Sequence, residues 1–399
     1  MRHRFHLDYI LLSAVVLLAI ISLMMMHSAG IHLFAIRGSG NPERFLIQQL
    51  LGLLTGLGAM VVTSLMDYRL LKRFSIPIML AVLSLLILVN LRGTGRWLFQ
   101  TQAGFSLQPS EFARLGTIIY AAHWLSSRRE SLSSLTRGLI PFAVIVGSVT
   151  GLVVLQPDLS MAALIAITGV IMFFIAGASF FQWAGSLLMG GAAAITVIQM
   201  GIFHYAQKRI LLWEQIQRFL RGEPVSPEYM NEQPFYALGA FIRGGLWGKG
   251  LGQASIAPIL RETLPSDGVM CLVAEELGFV GCLAVIALLS LVIFRGLSIA
   301  SRTEDHFGKL VASGFCWGLA LQAFIHMASL IGLMPMTGMG FPFVSLGGSS
   351  MVASMAGIGL LMSISAGEKI GGKNAVYNYR RGDRRPRLSR PRCGRKAKR

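Results

Sequence analysis

Charge is scarce in this chain. Of 399 residues only 14% are charged, against 54% hydrophobic, and the mean hydropathy is +0.62. A soluble protein of this length needs far more charge to cover its surface. The composition therefore excludes an ordinary globular enzyme and makes lipid the main solvent. Acid is the scarcer sign, with 18 Asp and Glu against 36 Lys and Arg, a net charge of +18. That excess is no nucleic-acid footprint, because thirteen of the basic residues follow Gly367 in a tail whose acids are Glu368 and Asp383 alone. Such a tail is usually solvated and disordered beside anionic lipid headgroups, with a cytosolic partner site as the alternative. Cysteine is nearly absent too. Cys271 and Cys282 lie about 16 Å apart along one helix, too far to bridge, and Cys316 and Cys393 are isolated, so neither a disulfide framework nor a metal spacing is present.

Long apolar runs are plentiful. Ten segments have the length and composition of membrane-spanning helices: 10–28, 46–65, 75–91, 112–126, 139–156, 159–176, 184–203, 268–294, 309–333 and 344–365. The fold class is an all-α integral membrane bundle of about ten helices. The first segment is too long for a signal-peptide core and lacks a cleavage site, so it reads as a retained anchor. Segment four is the weakest, being short and starting with Glu111 and Arg114. Residues 1–366 make one polytopic domain, and residues 367–399 form the basic tail. Among the short loops, eleven Lys and Arg fall on the side of the N-terminus and four on the other, which predicts that both termini are cytoplasmic.

One connection breaks the pattern of short loops. Residues 204–267 join segments seven and eight outside the membrane, and a loop of that length is usually functional. Between Ile202 and Leu220, the residues Leu212, Trp213, Ile216, Phe219 and Leu220 form one helical stripe. Lys208, Arg209, Gln215 and Arg218 lie largely opposite, which suits a helix in the headgroup region. Gly239, Gly244, Gly245, Gly248, Gly250 and Gly252 follow. They either bring backbone close to a ligand or helix, or make a turn-rich cover for the bundle.

Polar residues at membrane depth are costly, so their clusters are informative. The first holds Gly95-Arg96-Trp97 and Gln108-Pro109-Ser110-Glu111 with Arg114. Ser110 suits a helix cap and Glu111 the first turn, while Glu111 and Arg114 share a helical face and would form an ion pair. The second, Gln156-Pro157-Asp158, is a tight break with Asp158 as the cap of segment six. In the third, Asp267 reads as an N-cap. Glu275 and Glu276 lie about 12 Å further along the helix and need buried partners, for which Arg114, Lys249 and Arg96 are candidates. The fourth is uncharged and runs from Pro335 through Gly338, Gly340 and Pro342 to Ser345, Gly347, Gly348, Ser349 and Ser350. Its prolines and glycines predict irregular backbone lining a cavity shielded from lipid.

In this order the four clusters resemble the SEDS family (shape, elongation, division and sporulation), to which FtsW, RodA and SpoVE belong. The resemblance lies nearer FtsW and covers nearly the whole chain, from Asp8-Tyr9 to Ser350. Its carriers are Gln108-Pro109-Ser110-Glu111, Gly248-Lys249-Gly250-Leu251-Gly252, Ala274-Glu275-Glu276-Leu277-Gly278, and Pro342-Phe343-Val344-Ser345 with Gly347-Gly348-Ser349-Ser350. It implies a peptidoglycan glycosyltransferase that polymerises lipid II at the outer face of the cytoplasmic membrane. It also implies a class B penicillin-binding protein partner, other divisome or elongasome membrane proteins, and no nucleic acid. The family's essential aspartate stands eight residues before the first Glu of its Glu-Glu-Leu-Gly motif, which here is Asp267. Departures include Pro265-Ser266 before Asp267, Gln156, Ser160, Arg114, Leu346, Thr337, and His326 where the family usually has Asn.

On this reading Asp267 is the general base. Arg96, Lys249, Arg209 and Arg243 are the cations for the diphosphate, with a divalent metal (Mg or Mn) shared with Asp267 as a further option. Glu111, Arg114, Asp158, Glu275 and Glu276 make a supporting buried network, and Ser345, Gly347, Gly348 and Ser349 supply cavity backbone. The rival readings are a lipid II flippase and a non-catalytic scaffold for the synthase partner.

Overall fold

The computed structural model describes residues 8–37, 42–93, 95–100, 106–199, 204–230, 232–255 and 263–382. The chain is helical apart from a two-residue antiparallel ladder that pairs β1 (Phe99–Gln100) with β2 (Ser106–Leu107). Three helices open the bundle: α1 (Tyr9–Arg37), α2 (Arg44–Leu65) and α3 (Tyr68–Arg92). The ladder leads to α4 (Pro109–Ser127), then α5 (Ile140–Leu155, entered through a π-helical turn at Leu135–Leu139), α6 (Leu159–Ile175) and α7 (Phe180–Gln199). The long connection folds into α8 (His204–Leu220), α9 (Pro227–Met230) and α10 (Gln233–Gly244). The bundle closes with α11 (Val269–Arg302), α12 (His306–Leu330) and α13 (Gly348–Gly382).

Each of the ten expected segments overlaps a helix, although α12 stops at Leu330 and α13 starts only at Gly348, short of the expected 333 and 344. Seven helices are long and apolar enough to cross a membrane among the described residues: α1, α2, α3, Leu135–Leu155, α11, α12 and the Gly348–Gly367 part of α13. Helix α6 is apolar but shorter. The last residues of segment seven, 200–203, lie outside the described residues. The basic tail begins within α13, whose helix continues to Gly382, and residues 383–399 lie outside the described residues.

Helices α12 and α13 form the interior, with 67% and 72% of their apolar windows buried, against 22% for α2 at the periphery. Close approach is built on small residues, which let backbones meet where apolar surface alone gives no drive toward another helix. A Cβ at Gly52 would stand 3.3 Å from the Cα of Gly348, and one at Gly116 would stand 2.8 Å from Val82 Cγ2. The latter explains why the weakest predicted segment becomes one of the most enclosed helices. Its Ala113, Gly116, Ala121 and Ala122 fit α4 against α3, α12 and α6.

The ends follow local rules. Asp67 Oδ1 accepts from the Arg69 amide at 3.0 Å to start α3, which stops at Gly93 with φ 63°. Asp158 Oδ1 accepts from the Met161 amide at 3.2 Å and caps α6, as expected. Two expected caps are corrected. Gln108 occupies the cap position of α4, so Ser110 lies inside the helix, and its hydroxyl makes no capping bond. Gly268 precedes α11, so the Asp267 side chain is not used on its own helix and is left for other work.

Candidate functional site

The α3–α4, α5–α6 and α12–α13 connections and the segment before α11 meet at one end of the bundle. Arg96 stands between two of them. Its guanidinium lies 3.9 Å from Asp158 Oδ2 and donates to the Gly338 carbonyl at 3.3 Å. Gln108 Nε2 donates to the same Asp158 oxygen at 3.1 Å, while the Gln108 amide donates to Ser349 Oγ at 2.9 Å. Arg209 approaches from α8. A Cβ on Gly338 would lie 3.0 Å from one nitrogen of Arg96 and 3.4 Å from one of Arg209, so both cations close on this glycine. The amphipathic pattern had put Arg209 on the outward face of α8, whereas the fold turns it inward. Helix α8 is seated by Leu212 and Ile216, both buried, and by Trp213 and Gln217, which donate to the Gly332 carbonyl at 2.9 and 2.6 Å.

Asp267 lies in this electrostatic neighbourhood. Its burial pushes the carboxyl up to about 6 despite the opposing pull of Arg96 and Arg209 and a hydrogen bond from Ser266, and Asp158 adds to the rise. Asp158, also outside the helices, is raised mainly by burial, with Arg96 and the Met161 amide working against it. Two carboxyl groups and two guanidinium groups thus share one partly enclosed site. The loop bearing Asp267 is fixed by the Gly268 amide on the Thr263 carbonyl (2.8 Å) and by the Leu346 amide on the Pro265 carbonyl (2.8 Å).

The residues expected to form one supporting network separate into three groups. Asp158 belongs with Arg96, as described. Glu111 pairs with Arg114 one turn on, at 3.6 Å, and Arg114 donates to Gln322 Oε1. Glu275 is met by Lys249 Nζ at 2.8 Å and Arg243 Nε at 3.2 Å, with Ser255 donating to the same oxygen. Of the three candidate partners for this acid pair, Lys249 fills the role and Arg114 and Arg96 are engaged elsewhere. Glu276 takes Ser28 and His32 of α1 (3.0 Å for His32) and the Gly252 amide (3.1 Å).

The glycine loop explains how acids come to stand there. Helix α11 breaks at Gly278, with φ 71° and ψ −168°, and the chain at 245–250 docks into the break. The Lys249 and Gly250 amides donate to the Glu275 and Glu276 carbonyls at 2.9 and 3.0 Å, and the Phe279 and Val280 amides donate to the Gly245 and Leu246 carbonyls at 2.9 and 3.2 Å. A Cβ on Gly248 would stand 2.2 Å from the Glu276 oxygen, so of the two expected roles for these glycines, close approach to a helix is realised here.

The irregular segment between α12 and α13 is satisfied bond by bond, as membrane depth demands. Gly338, Met339 and Gly340 give their carbonyls to Arg96, His326 and Gln322. Val344 and Ser345 give theirs to Ser22 and Gln49, and Ser345 Oγ accepts from the Phe341 amide at 2.7 Å. Gly348 is the close neighbour of Gly52, and Gly347 lies between these contacts. Gln322 and His326 were missed as a pair. Their signal is two polar residues four apart in an apolar span, hence on one helical face.

A family model described as cell cycle protein, FtsW/RodA/SpoVE, matches residues 9–370. A protein of Trichlorobacter lovleyi named probable peptidoglycan glycosyltransferase FtsW is 32% identical over 91% of this chain and 94% of its own. Stage V sporulation protein E of Bacillus subtilis is 31% identical over 90% of this chain and 96% of its own. Among solved structures, RodA of Thermus thermophilus superposes with a TM-score of 0.66 at 24% identity, covering 91% of this chain and 98% of that one. A chain of a peptidoglycan synthase complex superposes at 0.69 with the same coverage and 24% identity. The match over nearly the whole length, on the bundle that brings Asp267, Arg96 and Arg209 together, places this chain in the FtsW/RodA/SpoVE family.

Proposed function

We propose that this protein polymerises lipid II into glycan strands at the outer face of the cytoplasmic membrane. In this reaction a sugar hydroxyl of one lipid-linked disaccharide attacks the anomeric carbon of another. A carbon–oxygen bond forms, the bond from that carbon to the diphosphate oxygen breaks, and the lipid diphosphate leaves. Asp267 takes the hydroxyl proton. Arg96 and Arg209 meet the charge that grows on the diphosphate, where donors already in place are most effective. The observation that carries the reading is Asp267 itself: it is not used as a helix cap, and its carboxyl is pushed to about 6 beside two arginines. A base of that strength is ionised at neutral pH yet still attracts a proton.

Lys249 and Arg243 share Glu275, and their side chains remain 35% and 37% exposed. This spare positive charge suits the second lipid-linked diphosphate that polymerisation requires. A divalent cation, Mg or Mn, would be held by Asp267 rather than by Asp158, whose two oxygens are already engaged by Met161, Gln108 and Arg96, and it would supply positive charge to the diphosphate. The relatives' names and the solved synthase complex support a class B penicillin-binding protein as the working partner within the divisome or elongasome.

The test is glycan synthesis from lipid II by purified protein with that partner in detergent, where no leaflets exist. Asp267→Ala and Asp267→Asn should lower the rate by about 100-fold or more. Parent-like rates in both variants would remove the base assignment. No polymer from the parent, with lipid II crossing liposome membranes, would favour the flippase, and neither activity would favour the scaffold.

A further inference from the structure

The segment at 337–341 belongs to no helix or strand, yet three consecutive carbonyls in it are each held by a different side chain. Gly338 accepts from Arg96 at 3.3 Å, Met339 from His326 Nδ1 at 2.7 Å, and Gly340 from Gln322 Nε2 at 3.0 Å. The carbonyl partner fixes the Nδ1–H tautomer of His326. The amide of Gln322 is fixed as well, because its oxygen must face the donor Arg114 and its nitrogen the Gly340 carbonyl. Both side chains come from one face of α12, which is among the most buried helices of the bundle.

We infer that Gln322 and His326 are positioning residues for the reaction: by clamping Gly340 and Met339 they set Gly338 as the stop against which Arg96 and Arg209 are placed beside Asp267. The inference rests on the role proposed for Asp267 and the two arginines. Both cations stand over Gly338, with a nitrogen of Arg96 and one of Arg209 at 3.0 and 3.4 Å from a Cβ it does not have. The neighbouring Gly340 backs onto the loop of Asp267, with the Ser266 carbonyl 3.9 Å from where its own Cβ would be. A rotation of the segment would thus move cations and base relative to one another. The same clamp gives a use to Arg114, the partner of the buried Glu111. Arg114 holds Gln322, and Gln322 holds the segment.

The plainer alternative is that these side chains only satisfy buried carbonyls, in which case they affect stability and nothing else. His326→Leu, His326→Asn and Gly338→Ala separate the two. Asn keeps an N–H for the Met339 carbonyl and Leu does not. The Ala methyl at Gly338 meets only the tips of two flexible arginines, so that variant folds even if His326→Leu does not. The readout is kcat against pH for lipid II polymerisation by the protein with its partner. His326→Leu and Gly338→Ala should each lower kcat by about three- to tenfold, the scale of one net hydrogen bond. Both should also move the acid limb of the profile to higher pH, because an Arg96 held further away depresses the Asp267 carboxyl less. His326→Asn should restore kcat and limb. Parent-like kcat and limb in Gly338→Ala overturn the inference, and so does a His326→Asn variant as impaired as His326→Leu. Loss of the acid limb in the parent, or an active Asp267→Asn, would instead overturn the base assignment and leave the clamp unsupported for that separate reason.

Discussion

In the role proposed for it, Asp267 sets function against stability. Its folded carboxyl titrates at about 6, above the ordinary 3.8, so between those values the folded chain holds a proton that the unfolded chain has released. Stability therefore falls as pH rises through that window, and the loss persists at neutral pH. An uncharged isostere escapes it. Asp267→Asn should melt at a higher temperature than the parent at pH 7.5, with the two converging below about pH 4. Thermal unfolding in detergent at both pH values checks this, and equal melting at pH 7.5 would mean that the carboxyl is not strained by its site. On its own the residue read as a helix cap; only the resemblance, whose essential aspartate stands eight residues before the first Glu of Glu275-Glu276-Leu277-Gly278, made it a candidate. Arg96 and Arg209 were named as its cations, but the approach of Arg209 was not legible, because it lies 58 positions away on a helix whose apolar stripe pointed that arginine outward.

At the scale of elements, the break in α11 was the least legible feature. The run 268–294 reads as one uninterrupted apolar helix, and Gly278 within it looks like an ordinary helix glycine. Only pairing with a loop some thirty residues earlier turns it into a break, and no local period reports a pairing of that kind. The Glu275 and Glu276 side chains were the better clue, since they demanded partners. Substitution tests the docking directly. Gly248→Ala adds a methyl 2.2 Å from a carbonyl oxygen at φ 77° and should cost about 2–5 kcal/mol through clash and backbone strain together. Gly245→Ala, at φ 55° and ψ −146° with open space around it, should cost about 1–3 kcal/mol from backbone strain alone. Equal losses in thermal unfolding for the two variants would show that the loop does not pack against α11 as described.

At the scale of the whole molecule, the helical class was readable, and so were the spans that apolar length carries, seven of them among the described residues. Orientation was read from short-loop charge, which positive-inside counting ties to the cytoplasm. It predicts that Glu223 in the long connection faces outward and that Arg302, at the far end of α11, faces the cytoplasm. In a chain with Cys393→Ser, the three remaining thiols, Cys271, Cys282 and Cys316, are buried and silent. A membrane-impermeant maleimide should then label Glu223→Cys on intact spheroplasts, and Arg302→Cys only after permeabilisation. The reverse pattern would invert the proposed topology and put Asp267 on the wrong side for lipid II polymerisation.

The break at Gly278 also settles a matter of bilayer thickness. Helix α11 has 34 residues and, if straight, would measure about 51 Å, far more than the roughly 30 Å of hydrocarbon it has to cross. The part beyond the break, Phe279–Arg302, is already about 36 Å long. On the proposed topology, which puts Arg302 in the cytoplasm, that part alone spans the lipid, and Glu275 and Glu276 stand where the span has ended. The two acids then carry no lipid-burial cost. On the proposed topology, the half-helix above them lifts Asp267 clear of the acyl chains, to the level where the proposed reaction needs a growing sugar chain, rather than its anchor, to be held.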